Sequence, residues 1–159
     1  MEIKTRTIST DDAGWLKSVF KRRWGGDFMV SRGKIHKPES LDGFIAEVYG
    51  KNKGAITYKI TGKQMEIVSL DSFLRRKGIG AALLGKAVDL ARKKRLKRVW
   101  LVTTNDNLGA LKFYQKRGFT IARIYPDAVR FARKVKPSIP LIGREGIPLR
   151  DEIELEKEI

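Results

Sequence analysis

The stretch RRKGIGAALL, from Arg75 to Leu84, places three basic residues before two glycines that are one residue apart. Apolar residues then recur at helical spacing, at Ile79, Leu83, Ala87 and Leu90, so the glycines open a helix. The first N–H groups of a helix have no partner within it, and the helix dipole adds positive charge at that end. Because glycine has no Cβ, a diphosphate can touch this backbone. The stretch therefore predicts a phosphate-binding loop between a strand and a helix.

Two other phosphate-binding motifs do not fit this stretch. The segment from Gly80 to Lys86 matches the letters G-x-x-x-x-G-K, but Ala87 follows it and has no hydroxyl for Mg²⁺. The dinucleotide fingerprint fails because Leu83 stands where its third glycine belongs. What remains is R-x-x-G-x-G at a strand-to-helix junction, beginning at Arg75.

The chain before this loop predicts antiparallel strands, and the chain after it alternates strands with helices. In the first half we expect a strand at 2–8, a helix capped by Asp11 or Asp12 and ended by Gly25-Gly26, a loop or short helix at 28–42, strands at 44–49, 55–60 and 65–70, and turns at 51–54 and 61–63. In the second half we expect the helix after Gly78, a strand at 99–103 buried on both faces, a helix from Leu108 that Gly118 stops, a strand at 119–124, a short helix to about Val135, a loop and a last strand at 150–155. The predicted fold class is α+β, with a central mixed, mostly antiparallel sheet flanked by helices. We expect one domain, 1–159, in which residues 126–159 form a C-terminal helix, loop and strand.

Composition excludes several kinds of chemistry. The chain has no cysteine, which excludes disulfides, thiolate metal sites and cysteine nucleophiles. Its single histidine, His36, cannot build a multi-histidine metal site, and it lies between charged residues where we expect a surface position. We predict no metal. No apolar run approaches the roughly 20 residues that cross a membrane, and the first residues lack a secretory signal, so we expect a cytoplasmic protein with no membrane partner.

The charge is strongly positive, with 34 lysines and arginines against 18 acidic residues and a formal net charge of +16. Such a field attracts nucleic acid, anionic cofactors or acidic surfaces. The alternative is a lysine-rich solvated surface with no partner.

A second motif follows the strand at 99–103. The segment NLGALKFYQKRGF, from Asn107 to Phe119, fits N-x-x-A-x-x-F-Y-x-K-x-G-F at every fixed position. With both motifs in this order, the sequence resembles the GNAT superfamily of acetyl-CoA-dependent N-acetyltransferases. The resemblance covers residues 2–124, and the remaining segment fits less closely. The phosphate implied by the resemblance is the pyrophosphate of coenzyme A.

The resemblance implies acetyl-CoA as co-substrate and suggests which residues hold it. In this family two neighbouring strands splay apart, and the pantetheine arm lies in the gap beside one of them, here Val68-Ser69-Leu70. The N–H of Leu70 would hold the developing oxyanion, and the side-chain amide of Asn107 would reach the arm. Lys116 would approach the 3′-phosphate, unless it is an ordinary exposed lysine. Backbone amides from Arg76 to Ala81 and nearby positive charge would hold the pyrophosphate, which gives the set Arg75, Arg76, Lys77, Gly78, Ile79, Gly80 and Ala81.

Tyr114 and Glu66 are the candidate catalytic residues. The resemblance assigns Tyr114 as the acid that protonates the departing thiolate, and the alternative is a core aromatic on an amphipathic helix. Glu66 is the candidate base because strand alternation places it on one face with Val68 and Leu70, and the alternative is a solvent-facing glutamate. Asp71, at the strand end, is the reserve candidate.

The sequence departs from the family at two places. Some relatives, including those that acetylate the N-termini of ribosomal proteins, carry a glutamate where this chain has Val102, which weakens an assignment to that branch. Many members also have a proline soon after the cofactor strand, where this chain reads Leu70-Asp71-Ser72-Phe73.

The acceptor is a primary amine that the sequence does not identify. In this family the acceptor site is shaped by the first helices and the last strands, here 11–38 and 126–159. Four apolar residues there line a pocket or pack the core: Trp15, Trp24, Phe28 and Met29. A basic surface disfavours a highly basic acceptor such as a polyamine, unless the pocket is itself acidic.

Two alternatives keep the fold but change the function. One is a nucleic-acid-binding protein that uses the basic residues among Arg92–Arg98, with Trp24 or Trp100 stacking on bases. The other is a sensor that binds acetyl-CoA without transferring the acetyl group. An acyl group other than acetyl would change the substrate and not the class. Many relatives dimerise, and the sequence leaves a homodimer open.

Overall fold

A computed structural model describes the whole chain, residues 1–159, and resolves it into nine strands and four helices. The strands are β1 (Ile3–Thr7), β2 (Met29–Ser31), β3 (Lys34–His36), β4 (Asp42–Val48), β5 (Lys51–Thr61), β6 (Gln64–Ser72), β7 (Arg98–Thr104), β8 (Thr120–Tyr125) and β9 (Glu152–Glu158). The helices are α1 (Ala13–Trp24), α2 (Ile79–Lys93), α3 (Leu108–Lys116) and α4 (Ala128–Val135).

Seven of the strands form one sheet in the order β1-β4-β5-β6-β7-β9-β8, and β2 pairs with β3 in a separate hairpin. Within the large sheet only β6 and β7 run parallel, and every other neighbouring pair is antiparallel. The last strand, β9, inserts between β7 and β8. The predicted α+β class with a mixed, mostly antiparallel sheet is therefore confirmed.

The main core lies between the sheet and α2. Ile79, Leu83 and Ala87 of α2 are at most 1% exposed and pack against β4, β5 and β6. On the other face, α1 contributes Leu16 and Phe20 to two smaller clusters. The helix spacing predicted for α2 is confirmed because its apolar stripe meets the apolar face of the sheet.

The expectation of a loop or short helix over residues 28–42 holds for a short 3₁₀ helix at Pro38–Ser40, but it missed the β2–β3 hairpin that precedes this helix. Arg32 and Gly33 both adopt left-handed conformations, with φ of 49° and 75°, and these turn the chain between two three-residue strands. Strands this short have too few residues to show an alternating pattern.

Two other local expectations are also wrong. The turn predicted at 51–54 lies inside β5, and the chain reverses at Tyr49-Gly50, where both φ values are positive. A register shift after Ala46 accommodates the extra length of β5. The strand at 99–103 is not buried on both faces, since Val99 and Leu101 are buried but Trp100 and Val102 are only half-buried.

The C-terminal segment is held to the sheet and to α1 by polar contacts. Lys136 is buried, and its Nζ donates to the carbonyl oxygens of Trp24 (2.6 Å) and Phe28 (2.7 Å). Asn105, just after β7, accepts from the N–H groups of Arg150 (3.0 Å) and Asp151 (2.9 Å). These contacts fix the segment between β8 and β9 against the end of α1 on one side and the end of β7 on the other.

Candidate functional site

A gap opens between β6 and β7. Their parallel pairing begins at Gln64 opposite Arg98 and stops at Ile67 opposite Leu101. Beyond that point β6 stays paired with β5 as far as Ser72, and β7 stays paired with β9 as far as Thr104. The two strands therefore diverge, and residues 68–72 face residues 102–104 with no strand pairing between them.

A β-bulge lies at the start of this gap. The register shifts between Thr57 and Tyr58 of β5, so that Val68 of β6 has no partner. Val68 packs on the α1 side of the sheet, whereas Leu70 packs with the large core on the α2 side. The expectation that Glu66, Val68 and Leu70 share one face is therefore wrong for Leu70, because the bulge interrupts the alternation.

The backbone of Leu70 faces the gap. Phe73 donates its N–H to the carbonyl oxygen of Lys53 (2.8 Å), across the β5–β6 ladder. Hydrogen-bonded and non-hydrogen-bonded residues alternate along an antiparallel strand, so Asp71 bonds to β5 and Leu70 does not. The N–H and C=O of Leu70 therefore point away from β5, toward the space that β7 leaves open.

The phosphate-loop residues lie at the N-terminus of α2, beyond the end of β6. Gly78 is the residue before the helix, with φ of 80°, and no side chain caps the helix there. The first hydrogen bond into the helix runs from the N–H of Ala82 to the carbonyl oxygen of Gly78 (2.9 Å), so the amides between them remain free. Arg75, Arg76 and Lys77 are exposed beside these amides, whereas the side chain of Ile79 is buried and only its backbone is available. Free N–H groups with flanking cations fit a diphosphate.

Helix α3 lies against this loop. The ring of Phe113 is 3.4 Å from the position that a Cβ on Gly80 would occupy. Asn107 is the N-cap of α3, and its Oδ1 accepts from the N–H of Ala110 (3.2 Å). This bond leaves its amide NH₂ as the group that can reach a ligand. Lys116 is exposed one turn beyond Phe113.

Tyr114 is a core aromatic whose hydroxyl still reaches open space. The residue is 6% exposed, and its ring packs edge-on against Phe113 (5.1 Å) and Phe119 (5.4 Å). No protein group forms a hydrogen bond with the Tyr114 hydroxyl. Only Nε2 of His36 is both fully buried and unpartnered among the side-chain polar atoms, so the Tyr114 oxygen keeps some accessible surface. Burial, and then the nearby charge of Asp71, raise the pKa of Tyr114, so the phenol keeps its proton at neutral pH.

Asp71 lies at the gap end of β6. It is 6% exposed, and Trp24 donates its indole N–H to Oδ2 at 3.3 Å. Burial raises the pKa of Asp71 to about 6, although this hydrogen bond and the charges of Arg23 and Arg144 oppose the shift. The carboxyl can therefore change protonation state near neutral pH.

Glu66 lies on the α1 side of the sheet, opposite Trp100 and one residue before the β6–β7 pairing ends. It is 8% exposed, and Ser31 of the hairpin donates to its Oε2 at 3.0 Å. Burial is the main cause that raises the pKa of Glu66. Its other oxygen, Oε1, has no protein partner and is not sealed. Glu66 thus offers one carboxylate oxygen to the open site, and it is not a solvent-facing strand residue.

His36 is buried, which corrects the expected surface position. The residue is 2% exposed, whereas Lys34 and Lys37 beside it are exposed. The β2–β3 hairpin places the imidazole over β6, where its Nε2 is 3.9 Å from Oε2 of Glu66. No local pattern indicates this position, because a lone histidine among lysines and a proline is typical of an exposed loop.

Two buried glutamates of β9 add negative charge on the same side. Glu152 pairs with Arg32 (2.9 Å), and the hydroxyl of Tyr125 donates to Glu154 (2.9 Å). Glu154 also pairs with Arg98 (3.1 Å).

Two observations concern metals and membranes. No group of three or more histidine, aspartate or glutamate side chains is placed to hold a metal ion. None of the helices is long and apolar enough to cross a membrane.

Comparison with known proteins identifies the family. Residues 11–119 match the model of the acetyltransferase (GNAT) family, and the chain belongs to that family. It is 45% identical over 145 residues to the uncharacterized protein YdhI of Bacillus subtilis (strain 168), with 91% of each chain covered.

Two of the solved structures that share the fold are acetyltransferases. An IAA acetyltransferase from Bacillus cereus matches at a TM-score of 0.72 and 24% identity over 99% of this chain and all of that one (100%). A GNAT family acetyltransferase from Elizabethkingia anophelis with acetyl-CoA bound matches at a TM-score of 0.73 and 21% identity, over 99% of this chain and 98% of that one.

Proposed function

We propose that this protein is an N-acetyltransferase that moves an acetyl group from acetyl-CoA to a primary amine, by direct attack in a ternary complex. The observation that carries the proposal is the gap between β6 and β7, with the Leu70 backbone facing into it and the free N-terminus of α2 beyond its end. Family membership and the acetyl-CoA bound to the relative from Elizabethkingia anophelis support acetyl transfer in general.

Acetyl-CoA supplies the reactive thioester. The backbone of residues 68–70 lies along one side of the gap and bonds to the pantetheine arm as a further strand would. The amides from Arg76 to Ala81 bind the pyrophosphate, with Arg75 and Lys77 adding positive charge. The amide NH₂ of Asn107 bonds to the arm, and Lys116 approaches the 3′-phosphate.

The chemistry forms a bond between the amine nitrogen and the thioester carbon and breaks the carbon–sulfur bond. The N–H of Leu70 stabilises the negative charge that develops on the carbonyl oxygen, and one such donor is worth about 3–4 kcal/mol. Tyr114 donates from its hydroxyl to the departing thiolate. A phenol normally titrates near pH 10 and a thiol near about 8.5, so full transfer is uphill and the hydrogen bond is the main contribution.

The acceptor must lose a proton before it attacks. Exposing the lone pair of a lysine-like amine at pH 7 costs about 4–5 kcal/mol. Glu66 takes this proton at its open oxygen, Oε1, and its raised pKa makes it a stronger base than an exposed carboxylate. Asp71 is the second candidate. Ionised Glu66, which has no cation paired with it, favours an acceptor that arrives as an ammonium ion despite the positive charge of the whole chain. The charges of Glu152 and Glu154 are balanced by Arg32 and Arg98.

Calorimetric titration with acetyl-CoA tests the first half of the proposal, with CoA and 3′-dephospho-CoA as controls. We expect one site per chain with a Kd near micromolar, which corresponds to about 8 kcal/mol. Weaker binding of 3′-dephospho-CoA, with no further loss in Lys116→Ala, supports Lys116 as the partner of the 3′-phosphate. Absence of binding at low salt would contradict the proposal.

Release of free thiol from acetyl-CoA in the presence of a panel of primary amines tests the second half. Amine-dependent release that falls in Tyr114→Phe supports the transferase. If acetyl-CoA binds but no amine in the panel causes release of free thiol, the result would favour the sensor alternative over the transferase. The two tryptophans that the nucleic-acid alternative requires for base stacking have other partners, since the indole of Trp24 donates to Asp71 and Arg98 lies over the ring of Trp100 at 5.0 Å.

A further inference from the structure

One nitrogen of His36 has no hydrogen-bond partner although it is sealed inside the protein. Nε2 is the single buried side-chain nitrogen or oxygen in the chain with no partner. Buried polar atoms in folded proteins are almost always paired, so an exception needs a physical reason. The nearest charged group is the carboxylate of Glu66, whose Oε2 is 3.9 Å away, too far for a hydrogen bond.

Both strands of the β2–β3 hairpin bring a side chain to this one carboxylate. Ser31 of β2 donates its hydroxyl to Oε2 at 3.0 Å, and His36 of β3 aims Nε2 at the same oxygen. The imidazole is 2% exposed and the carboxylate 8%, so neither exchanges freely with water at this contact. The hairpin therefore holds an incomplete hydrogen bond over the strand that leads into the gap.

The neutral imidazole carries one proton, on Nδ1 or on Nε2. No protein group bonds to Nδ1, which unlike Nε2 is not sealed, so Nδ1 is free to donate to water. With the proton on Nδ1, Nε2 and the carboxylate both accept hydrogen bonds and have no proton to share. When one proton is added, an N–H···O bond forms after the atoms approach by about 1 Å, and such a charge-assisted bond is among the stronger ones. The geometry is thus completed by the uptake of a single proton.

Burial and the neighbouring charges set the protonation of the pair. Burial lowers the pKa of His36, and Lys59 of β5 and Lys34 of β3 lower it further. Burial raises the pKa of Glu66 and Glu154 of β9 adds to that rise, while the hydrogen bond from Ser31 and the same two lysines oppose it. The two groups are driven toward their neutral forms by burial, and a shared proton satisfies both.

We propose that His36 and Glu66 act as one unit that holds the proton removed from the acceptor amine, with His36 as a positioning residue that acts through Glu66. This role rests on the proposed function, in which Glu66 is the base. The N–H bond of the substrate ammonium breaks, and the proton passes to Oε1 of Glu66. The carboxyl group then turns about its Cγ–Cδ bond, so that the protonated oxygen takes the place of Oε2 and donates its O–H to Nε2 of His36. The unit releases this proton to water after the product leaves. No other reactant is needed.

The single histidine of the chain makes a direct test available. The imidazole signals of His36 are the only ones in an NMR spectrum, so their pH titration reports this residue alone. In Glu66→Gln the carboxylate that stabilises the imidazolium is gone, and we expect the midpoint to fall by at least about one pH unit. A midpoint in Glu66→Gln that matches the wild type would overturn the shared proton.

Ser31→Ala is the matched control, because it removes a hydrogen bond to the same oxygen but leaves both titrating groups. We expect its His36 midpoint to stay within about 0.3 pH unit of the wild type, since no charge is lost. A shift in Ser31→Ala as large as that in Glu66→Gln would mean that the imidazole reports only local packing, and it would overturn the proposal. Because the titration needs no substrate, it stands or falls separately from acetyl transfer.

The pH profile of His36→Gln gives a second measurement. Glutamine places an amide near the position of Nε2 but does not titrate in this range. We expect kcat near pH 7 to fall about tenfold with KM for acetyl-CoA unchanged, and the acid limb of kcat/KM to move to lower pH. The limb moves in this direction because Glu66 alone holds a proton less tightly than the pair. A lower kcat with an unmoved limb would indicate a purely structural role for His36.

Discussion

At the scale of the residue, burial sets the protonation state of the groups around the gap. Tyr114, Glu66 and Asp71 are each at most 8% exposed, and burial raises the pKa of all three. A chain with a net charge of +16 thus keeps acids and a phenol in a site where their neutral forms are favoured. The shifts of Glu66 and Asp71 suit groups that gain a proton near neutral pH, whereas the shift of Tyr114 keeps its phenol protonated as a hydrogen-bond donor.

Replacing Tyr114 with phenylalanine removes the hydroxyl and leaves the packed ring. We expect kcat to fall about 100-fold, because the departing thiolate loses its donor, while KM for acetyl-CoA changes less than about twofold. Steady-state kinetics measure both. Tyr58→Phe is the control, since Tyr58 is also a buried tyrosine of the same core, at 7% exposure. Equal losses in the two variants would contradict the acid role.

Asp71→Asn is expected to stabilise the protein at alkaline pH. The folded pKa of Asp71, about 6, lies above the value near 4 of an unfolded aspartate, so stability falls as the pH rises from about 4 to about 6. Asparagine removes that loss, by roughly 1–3 kcal/mol at pH 8, and still offers an oxygen to the indole of Trp24. At pH 4 the difference from wild type should nearly vanish. Urea unfolding at both pH values measures it, and a pH-independent difference would argue against the shift.

At the scale of the element, two helix N-termini prepare the cofactor side. Helix α2 begins after a left-handed glycine and has no side-chain cap, whereas Asn107 caps α3. The first amides of α2 therefore have no protein partner, as the proposed pyrophosphate site requires, whereas Asn107 satisfies an amide of α3.

Gly78→Ala tests the left-handed position before α2. Its φ of 80° strains any residue with a Cβ, so we expect a loss of about 1–2 kcal/mol of stability and weaker acetyl-CoA binding. No atom lies within 4 Å of the added methyl group, so the effect comes from the backbone alone. Thermal unfolding and calorimetry measure the two quantities.

Gly85→Ala is the matched control for that change. Gly85 lies inside α2, is exposed and also has nothing within 4 Å of an added Cβ. Alanine should stabilise the helix there by about 0.5–1 kcal/mol and leave acetyl-CoA binding unchanged. A loss of stability as large as in Gly78→Ala would contradict the role of the positive φ.

At the scale of the whole molecule, charge separates into two regions. Exposed basic residues flank the cofactor end, at Arg75, Arg76 and Lys77, and buried carboxylates lie on the α1 side, at Glu66, Glu152 and Glu154. The two groups are separated by the sheet. The basic residues follow the end of β6, whereas Glu152 and Glu154 lie on β9, which pairs with β7. Under the proposed function, we expect the anionic cofactor and a cationic acceptor to approach different parts of the site.

The positive field should make cofactor binding depend on salt. We expect the Kd for acetyl-CoA to rise severalfold between 50 mM and 500 mM NaCl, because the Debye length falls from about 14 Å to about 4 Å. The dependence for 3′-dephospho-CoA should be shallower, since it carries less charge. Calorimetry at several salt concentrations measures both slopes. Parallel slopes would contradict a contribution of basic residues at the 3′-phosphate.

Much of this organisation is predictable from local sequence. The phosphate loop and its helix follow from R-x-x-G-x-G and the apolar spacing that begins at Ile79. The α3 segment follows from the motif that begins at Asn107. The alternating runs predicted three strands that the structure has as β4, β5 and β6, with different ends. Each of these depends on a few neighbouring residues, so one segment carries enough information.

The sequence by itself determined the fold class, the GNAT family and the expected cofactor loop, because motif spacing and periodicity are properties of neighbouring residues. The tertiary structure alone decided three features of the site. It placed the bulge at Val68, which turns Leu70 to the other face. It inserted β9 beside β7, and it buried His36 over Glu66. Each depends on contact between segments far apart in the chain, and the free energy of such contacts comes from burial and pairing that local patterns do not encode.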